Sequence, residues 1–217
     1  MLGIIDKFEA LLDSDEQIAK YGVDAGIMLA VGDGNHSMAT AKECWNEIKK
    51  DLTYEEQKNH PARYALVEVV NIYDEELTFE PINRLITGEN PDFIDKLHEA
   101  VKEIPANGNN CFVTVFGKGK KEVISIPTGA GETIKAIQEF LESYKKDNEG
   151  FEIEYVHGDE HTAKTVKESD GIGILMPKFA KSDLIKYVVN VGNLPKKAFS
   201  IGTAEDKKYY VEAKRIR

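Results

Sequence analysis

The sequence predicts an α/β or α+β fold in which helices flank a mixed β-sheet. Short runs rich in β-branched and aromatic residues, at 63–73, 111–116 and 171–176, are typical of strands. Between such runs, apolar residues recur every three or four positions, as in residues 38–50 and 132–146, which indicates amphipathic helices. Because strands and helices alternate along the chain, we expect helices to cover the layers of a sheet.

Size and composition narrow the class of protein. The chain has 217 residues, of which 41% are hydrophobic and 30% charged, as in ordinary globular proteins. The formal net charge of −10 argues against a general nucleic-acid surface. No apolar run approaches the roughly 20 residues of a membrane span, and the first residues lack the pattern of a signal peptide. Cys44 and Cys111 lie far apart, which favours reduced thiols, so we expect a cytoplasmic protein without membrane contact.

Helices of the first half carry clear boundary signals. Residues 4–21 read as one amphipathic helix, or as two short helices that meet near residue 13, and Gly22 is a natural stop. A short helix is predicted over residues 54–59, with Thr53 as its N-cap and Glu56 as the capping-box partner.

Strands of the first half are predicted from composition. Residues 27–32 are short and apolar enough for a buried strand, and residues 63–73 should form a central strand. A further strand is predicted at residues 77–80. Pro81 should break its ladder, which makes residues 82–86 an edge or irregular segment.

The second half alternates regularly. It predicts a helix after Pro91, hairpin strands at 111–116 and 122–126, a helix at 132–146, a strand at 151–156, a helix at 159–167, a strand at 171–176, a helix at 182–191 and an extended segment at 207–215. Residues 105–110 are the most linker-like stretch. We therefore predict a strand-turn-helix region at residues 1–105 and a mixed α/β region at 106–217, with one continuous domain as the alternative.

The candidate site is the polar turn between the predicted strand at 27–32 and the helix that follows it. Its residues are Gly32, Asp33, Gly34, Asn35, His36 and Ser37. The first amides of a helix have no acceptor within it, so such a turn can hold a phosphate or carboxylate. Asp33 and His36 would add acid-base or metal chemistry. The alternative is a glycine turn in which Asp33 or Ser37 caps the helix and nothing is bound.

Two further features are weaker. Arg84 could reach an anion, although a surface salt bridge is the more ordinary explanation of such an arginine. His157 and His161 have the spacing of a metal pair, but Gly158 between them favours Asp159 as a helix cap instead, and we assign no metal site.

Several separate strings resemble the bacterial and archaeal family catalogued as domain of unknown function 1015. They are residues 31–42, 59–74, 79–84, 155–158, 170–173 and 194–202. The resemblance implies that a comparable N-terminal half of the usual family protein is absent here, so the fold would be incomplete relative to full-length members. Many members carry an Asp-Gly-His-His-Arg motif at the candidate turn. That motif is similar to the phosphate-handling turn of the ParB and sulfiredoxin-like superfamily, which includes an archaeal free-serine kinase.

This chain departs from the family pattern. Asn35 stands where many members have His, Ser37 where they have Arg, and Asn83 where they have His before Arg84. A hydroxyl cannot replace the forked, charge-assisted contact of an arginine. These departures favour binding over catalysis.

Two functions follow from the resemblance. The first is a phosphate- or nucleotide-binding fragment whose partner is the missing N-terminal half or a second copy of the chain. Gly32, Gly34, Asn35 and Ser37 would then contact the ligand. The alternative is a phosphotransferase that uses ATP or another nucleotide with Mg²⁺, in which Asp33, His36 and Arg84 are catalytic.

Overall fold

The computed structural model describes residues 2–32, 34–88 and 91–202. The chain divides into two compact units, Met1–Asn71 and Ile72–Arg217. The boundary predicted near residue 106 lies within the second unit, whose single sheet takes strands from both sides of that position.

The first unit is helical. Its elements are α1 Leu2–Glu9, a 3-10 turn Ala10–Leu12, α2 Ser14–Tyr21, α3 Asn35–Ile48, a 3-10 turn Lys49–Asp51, α4 Tyr54–Asn59 and a 3-10 turn Pro61–Arg63. None of the described helices of either unit is long and apolar enough to cross a membrane.

Local signals set the ends of these helices. The Asp13 side chain accepts the N–H of Glu16 at 2.9 Å and so caps α2, which ends at Gly22 in the left-handed conformation. Thr53 and Glu56 form the predicted capping box at α4, with the Thr53 N–H donating to Glu56 Oε2 at 2.8 Å. The predicted pair of short helices and both boundary signals are confirmed.

Neither strand predicted in the first unit is formed within its described residues. Residues 27–32 and 64–71 carry no regular secondary structure. Both predictions are wrong. β-branched residues favour an extended backbone, but a strand forms only where a ladder of backbone hydrogen bonds joins it to another strand. Leu66 is instead 86% exposed.

The second unit contains the sheet. Its elements are β1 Phe79–Thr87, α5 Phe93–Lys102, β2 Cys111–Gly117, β3 Lys120–Ile126, α6 Ala130–Asp147, β4 Glu152–His157, α7 Asp159–Ser169, β5 Ile172–Leu175, a 3-10 turn Lys181–Asp183, α8 Leu184–Asn190 and β6 Phe199–Ile201. All elements predicted between residues 91 and 191 are confirmed with small shifts of their ends. The extended segment predicted at 207–215 lies outside the described residues.

The sheet has the order β3-β2-β5-β1-β4, and β6 pairs with the start of β1. All pairings between these described strands are antiparallel. The predicted class, an α/β or α+β fold in which helices flank a β-sheet, is confirmed. The sheet was predicted to be mixed, and its described pairings are of the antiparallel kind alone.

Strand β1 lies inside the sheet, between β5 and β4, and not at its edge. Residues 79–81 pair with β6, whereas residues 82–87 pair with β4. Pro81 is the last residue of the first ladder, so its missing N–H falls where β1 changes partner. The prediction of an edge or irregular segment at 82–86 is therefore wrong.

The hydrophobic core also lies in the second unit. Every buried hydrophobic side chain among the described residues lies between Phe79 and Ala198. An aromatic cluster joins α5 and α6 to the segment before β4. Its ring centroids are 5.4 Å apart for Phe93 and Tyr144, and 4.7 Å apart for Tyr144 and Phe151.

Substitution of Gly117, the last residue of β2, tests how closely the backbone of β2 packs against the start of β5. Gly117 has φ of 138°, and a Cβ there would lie 2.2 Å from the carbonyl oxygen of Gly171. We expect Gly117→Ala to lower the free energy of unfolding by about 3 kcal/mol, because strain and overlap add. Gly119, with φ of 76° and open space around it, is the control. Gly119→Ala should lower the free energy of unfolding by about 1 kcal/mol, measured by urea titration. Equal losses of stability in the two variants would contradict the close approach of Gly117 to Gly171.

Candidate functional site at the amino end of helix α3

Helix α3 begins at a glycine that sets the direction of the chain. Gly34 is the N-cap residue with φ of 78° and ψ of 14°, a conformation that residues with a Cβ adopt at a cost. The Met38 N–H donates to the Gly34 carbonyl at 2.8 Å and is the first hydrogen bond of the helix. The backbone conformation of Gly34 therefore sets the start of α3, and no buried side chain of the helix contributes to it.

The amides of Asn35, His36 and Ser37 precede that first hydrogen bond. Helix geometry gives them no acceptor within α3, and no side chain of the N-cap residue can bond to them because it is glycine. All three residues are exposed. Their side chains carry an amide, an imidazole and a hydroxyl, all of which can donate to an anion.

The same unit offers two helices for comparison. Helix α2 has the Asp13 cap and two acids in its first turn, and α4 has the capping box with Glu56. The first turn of α3 contains no acidic residue. Acids neutralise the positive end of a helix dipole, so the amino end of α3 keeps its positive character over residues 35–37.

The predicted ligand residues Gly34, Asn35 and Ser37 thus share one turn with His36, and Gly32 precedes them on an exposed segment. Asp33 lies outside the described residues. Its role as a catalytic group stays a prediction.

Arg84, the third predicted catalytic residue, lies in the second unit, in the middle of β1. Its side chain is 0% exposed. Nε donates to Gln138 Oε1 at 3.1 Å, Nη2 donates to the Lys197 carbonyl at 3.0 Å, and Nη1 donates to the Ile82 carbonyl. The guanidinium carbon lies 4.8 Å from the centre of the Tyr155 ring.

Burial shapes the charge of this side chain. Desolvation lowers the pKa of Arg84 to about 10, while Tyr155 acts in the opposite direction. Arg84 is therefore still protonated at neutral pH. The three acceptors of the guanidinium, Gln138 Oε1 and the carbonyls of Ile82 and Lys197, are neutral. A carboxylate enters this network only through Gln138, whose Nε2 donates to Glu142 Oε1 at 3.0 Å. The alternative of a surface salt bridge is wrong, because the guanidinium is buried among neutral groups.

Asn83, beside Arg84, is also buried and fully engaged. Its Nδ2 donates to Asp159 Oδ1 at 3.0 Å and to Thr162 Oγ1 at 3.1 Å, and the Met176 N–H donates to its Oδ1 at 3.0 Å. Asn83 thereby ties β1 to α7 and to the end of β5. Sequence reasoning missed this role, although two polar residues inside the apolar run at 82–86 were a signal.

The pair His157 and His161 is not supported by a third ligand. In the described ranges, no group of three or more His, Cys, Asp or Glu side chains is placed to hold a metal ion. Asp159 lies in the first turn of α7, one residue after the N-cap Gly158.

Comparison with known proteins gives the family. The chain belongs to the family described as "Protein of unknown function (DUF1015)", which matches residues 4–172. The family predicted by resemblance is thus confirmed. Among curated proteins, no match was found.

Two solved structures are distantly similar. One is a free serine kinase in complex with AMP, with a TM-score of 0.45 and 14% identity over 63% of this chain and 58% of that chain. The other is a conserved hypothetical protein from Pyrococcus furiosus, with a TM-score of 0.44 and 14% identity over 63% of this chain and 61% of that chain. The chain thus spans less than two thirds of the length of each.

The network around Arg84 makes a direct prediction about stability. Arg84→Ala should lower the free energy of unfolding by about 3–5 kcal/mol, because it leaves the buried acceptors Gln138 Oε1 and Lys197 O without their donor. Thermal unfolding followed by far-ultraviolet circular dichroism measures the change.

Arg63 is the matched control, since it is exposed and its guanidinium carbon lies 5.8 Å from the centre of the Tyr64 ring. Arg63→Ala should change stability by less than about 1 kcal/mol. Similar losses of stability in both variants would mean that the hydrogen bonds of the buried guanidinium do not stabilise the fold.

Proposed function

We propose that this member of the family binds a phosphate group, either as inorganic phosphate or as part of a nucleotide or another small metabolite, at the amino end of α3. The observation that carries the proposal is the exposed first turn of that helix, where three amides have no intrahelical acceptor and no acidic residue is present. An anion placed there receives backbone hydrogen bonds and the favourable end of the helix dipole.

The first turn of α3 favours an anionic ligand despite the charge of the whole chain. The net charge is −10, so the average field repels anions. Within the first turn, however, Asn35, His36 and Ser37 add donors and no negative charge. Hydrogen bonds to a charged partner contribute about 1.5–3 kcal/mol each, which is enough for a few of them to hold a phosphate.

The proposal is binding without turnover. The predicted phosphotransferase would need Asp33 to hold Mg²⁺, His36 to move a proton and Arg84 to neutralise the charge that develops on the transferred group. Ser37 supplies a hydroxyl and no positive charge at the turn, and the hydrogen bonds of Arg84 go to protein groups in the second unit. Both observations support a binding role more directly than a catalytic one.

Two isosteric substitutions in the same helix test the site. Asn35→Asp places a negative charge in the first turn, and a unit charge within a few ångströms of a bound phosphate should weaken its affinity by about tenfold. A negative charge in the first turn also interacts favourably with the helix dipole, so the melting temperature should be equal to or higher than that of the unmodified chain. Isothermal titration with inorganic phosphate measures the affinity.

Asn46→Asp is the control, because it adds the same charge to α3 about 16 Å further along the helix axis. Its phosphate affinity should stay within about twofold of that of the unmodified chain, since a separation of two Debye lengths screens the charge. If the unmodified chain binds no phosphate at 10 mM (roughly the weakest useful affinity), or if both variants lose affinity equally, the proposed site is wrong.

A further inference from the structure

The buried guanidinium of Arg84 has hydrogen bonds but no opposite charge beside it. Its side chain is 0% exposed, and its three acceptors are an amide oxygen and two backbone carbonyls. Within the described ranges, it forms no salt bridge with a carboxylate. An arginine is almost never fully buried unless it is paired, because an ion is costly to remove from water. The charge of Arg84 therefore lacks its usual compensation.

A short exposed turn supplies one of the three acceptors. Residues 195–197, here called the 195–197 turn, lie between α8 and β6, and both lysines of the turn are exposed. The Lys197 carbonyl accepts from Arg84 Nη2 at 3.0 Å. On either side of the turn, Ala198 is buried and Leu194 packs against the hydrophobic core. The turn therefore contacts the guanidinium from between two apolar anchors.

The backbone of this turn is strained at Lys197. Its φ is 61°, in the left-handed region that favours glycine. The other described non-glycine residues with a positive φ are Lys118, in the turn between β2 and β3, and Asp170, the C-cap of α7. Positive values are common in both of those settings. Lys197 lies in neither, and strained residues of this kind concentrate at ligand-binding and switching segments.

Few hydrogen bonds hold the turn in place. In the part of the chain that the structure describes, no backbone N–H of residues 193–197 donates to another backbone group. The second polar attachment is the pair of Lys196 Nζ and Glu142 Oε1 at 3.2 Å, whose side chains are both exposed. Exposed ion pairs contribute little to stability, and segments with few backbone hydrogen bonds open at a low cost.

A carboxylate would satisfy Arg84 better than the carbonyl of Lys197 does. The planar guanidinium matches the two oxygens of a carboxylate, and hydrogen bonds to an ionised acceptor are about twice as strong as those to a neutral one. Three of its five N–H groups have acceptors in the described structure, so removal of the Lys197 carbonyl makes both N–H groups of Nη2 available. A monoanion also matches the single buried charge, whereas a phosphate dianion would leave a negative charge uncompensated.

We propose that the 195–197 turn is a movable cover, and that a small carboxylate replaces the Lys197 carbonyl at Arg84 when the turn opens. Opening relieves the strain at Lys197, and the bound carboxylate supplies the missing opposite charge. Leu194 and Ala198 stay in the core on either side of the turn. This site lies within the second unit and does not depend on the phosphate site proposed at α3.

Two variants at one position separate the strain from the charge of Lys197. Lys197→Ala and Lys197→Gly both remove the ammonium group, but only glycine adopts the left-handed conformation without a cost. Relative to the open turn, the closed turn should therefore be about fivefold more populated in Lys197→Gly than in Lys197→Ala. Because the carboxylate binds the open form, Lys197→Gly should bind it about fivefold more weakly.

The side-chain N–H resonances of Arg84 in nitrogen–proton correlation spectra report on both steps. Without ligand, the Nη2 protons should exchange with water about fivefold more slowly in Lys197→Gly than in Lys197→Ala, because the closed turn covers them. Titration with sodium acetate should shift the Arg84 resonances saturably in the unmodified chain and in both variants. Sodium chloride at equal ionic strength is the control and should leave them unchanged.

Three results would overturn the proposal. The first is the absence of a saturable shift at Arg84 with acetate at about 50 mM, a concentration that detects even weak binding. The second is equal affinity for acetate in the two variants, since the turn then does not control access. The third is tighter binding of inorganic phosphate than of acetate at Arg84, which contradicts the match to a single charge. Shifts of residues 35–37 with phosphate report on the α3 site alone, so the two proposals fail separately.

Discussion

The burial of one cation in the middle of β1 is the constraint on which the second unit depends. A guanidinium removed from water must be surrounded by acceptors, and Arg84 obtains them from α6 through Gln138 and from the loop before β6 through the Lys197 carbonyl. Asn83, one residue earlier, obtains its partners from α7 and from the end of β5. Because successive side chains of a strand point to opposite faces, these two residues fix elements on both sides of the sheet. The hydrophobic core of the second unit therefore packs beside a strand that these hydrogen bonds hold in place.

The first unit is organised in the opposite way. Its described residues include no buried hydrophobic side chain, and its helices are bounded by caps and glycines at Asp13, Gly22, Gly34 and Thr53. Packing would tend to cover the amino end of a helix, whereas local capping leaves it open. The exposed first turn of α3 and the exposed side chains of Leu66 and Val67 thus have one origin, which is a unit that buries none of its described hydrophobic side chains. The proposed anion accepts hydrogen bonds from the amides of that first turn.

The sequence predicted what is determined locally. The capping box at Thr53 and Glu56, the break near Asp13 and the hairpin of β2 and β3 all depend on residues close in the chain, and they were predicted correctly. The errors concern groups whose state depends on distant partners. Residues 64–71 have strand composition but carry no regular secondary structure, whereas residues 82–86 follow a proline and still belong to an interior strand, because β4 and β5 lie on either side. The burial of Arg84 depends on Gln138 and Lys197, more than fifty residues away. The turn at 34–37 could be predicted as a helix start from Gly34, but the anion proposed for it has no counterpart in backbone propensity.

The most direct measurement of the central claim is a titration of isotopically labelled protein with inorganic phosphate, followed by amide nitrogen–proton correlation spectra. A phosphate held by the first turn of α3 should give saturable shifts that are largest for the amides of Asn35, His36 and Ser37, with smaller changes at Met38, whose N–H is already bonded to Gly34. An equal concentration of chloride should leave the chemical shifts of these amides unchanged. Saturable shifts that centre on any other segment, or no shifts at residues 35–37 when phosphate is in excess, would contradict the account.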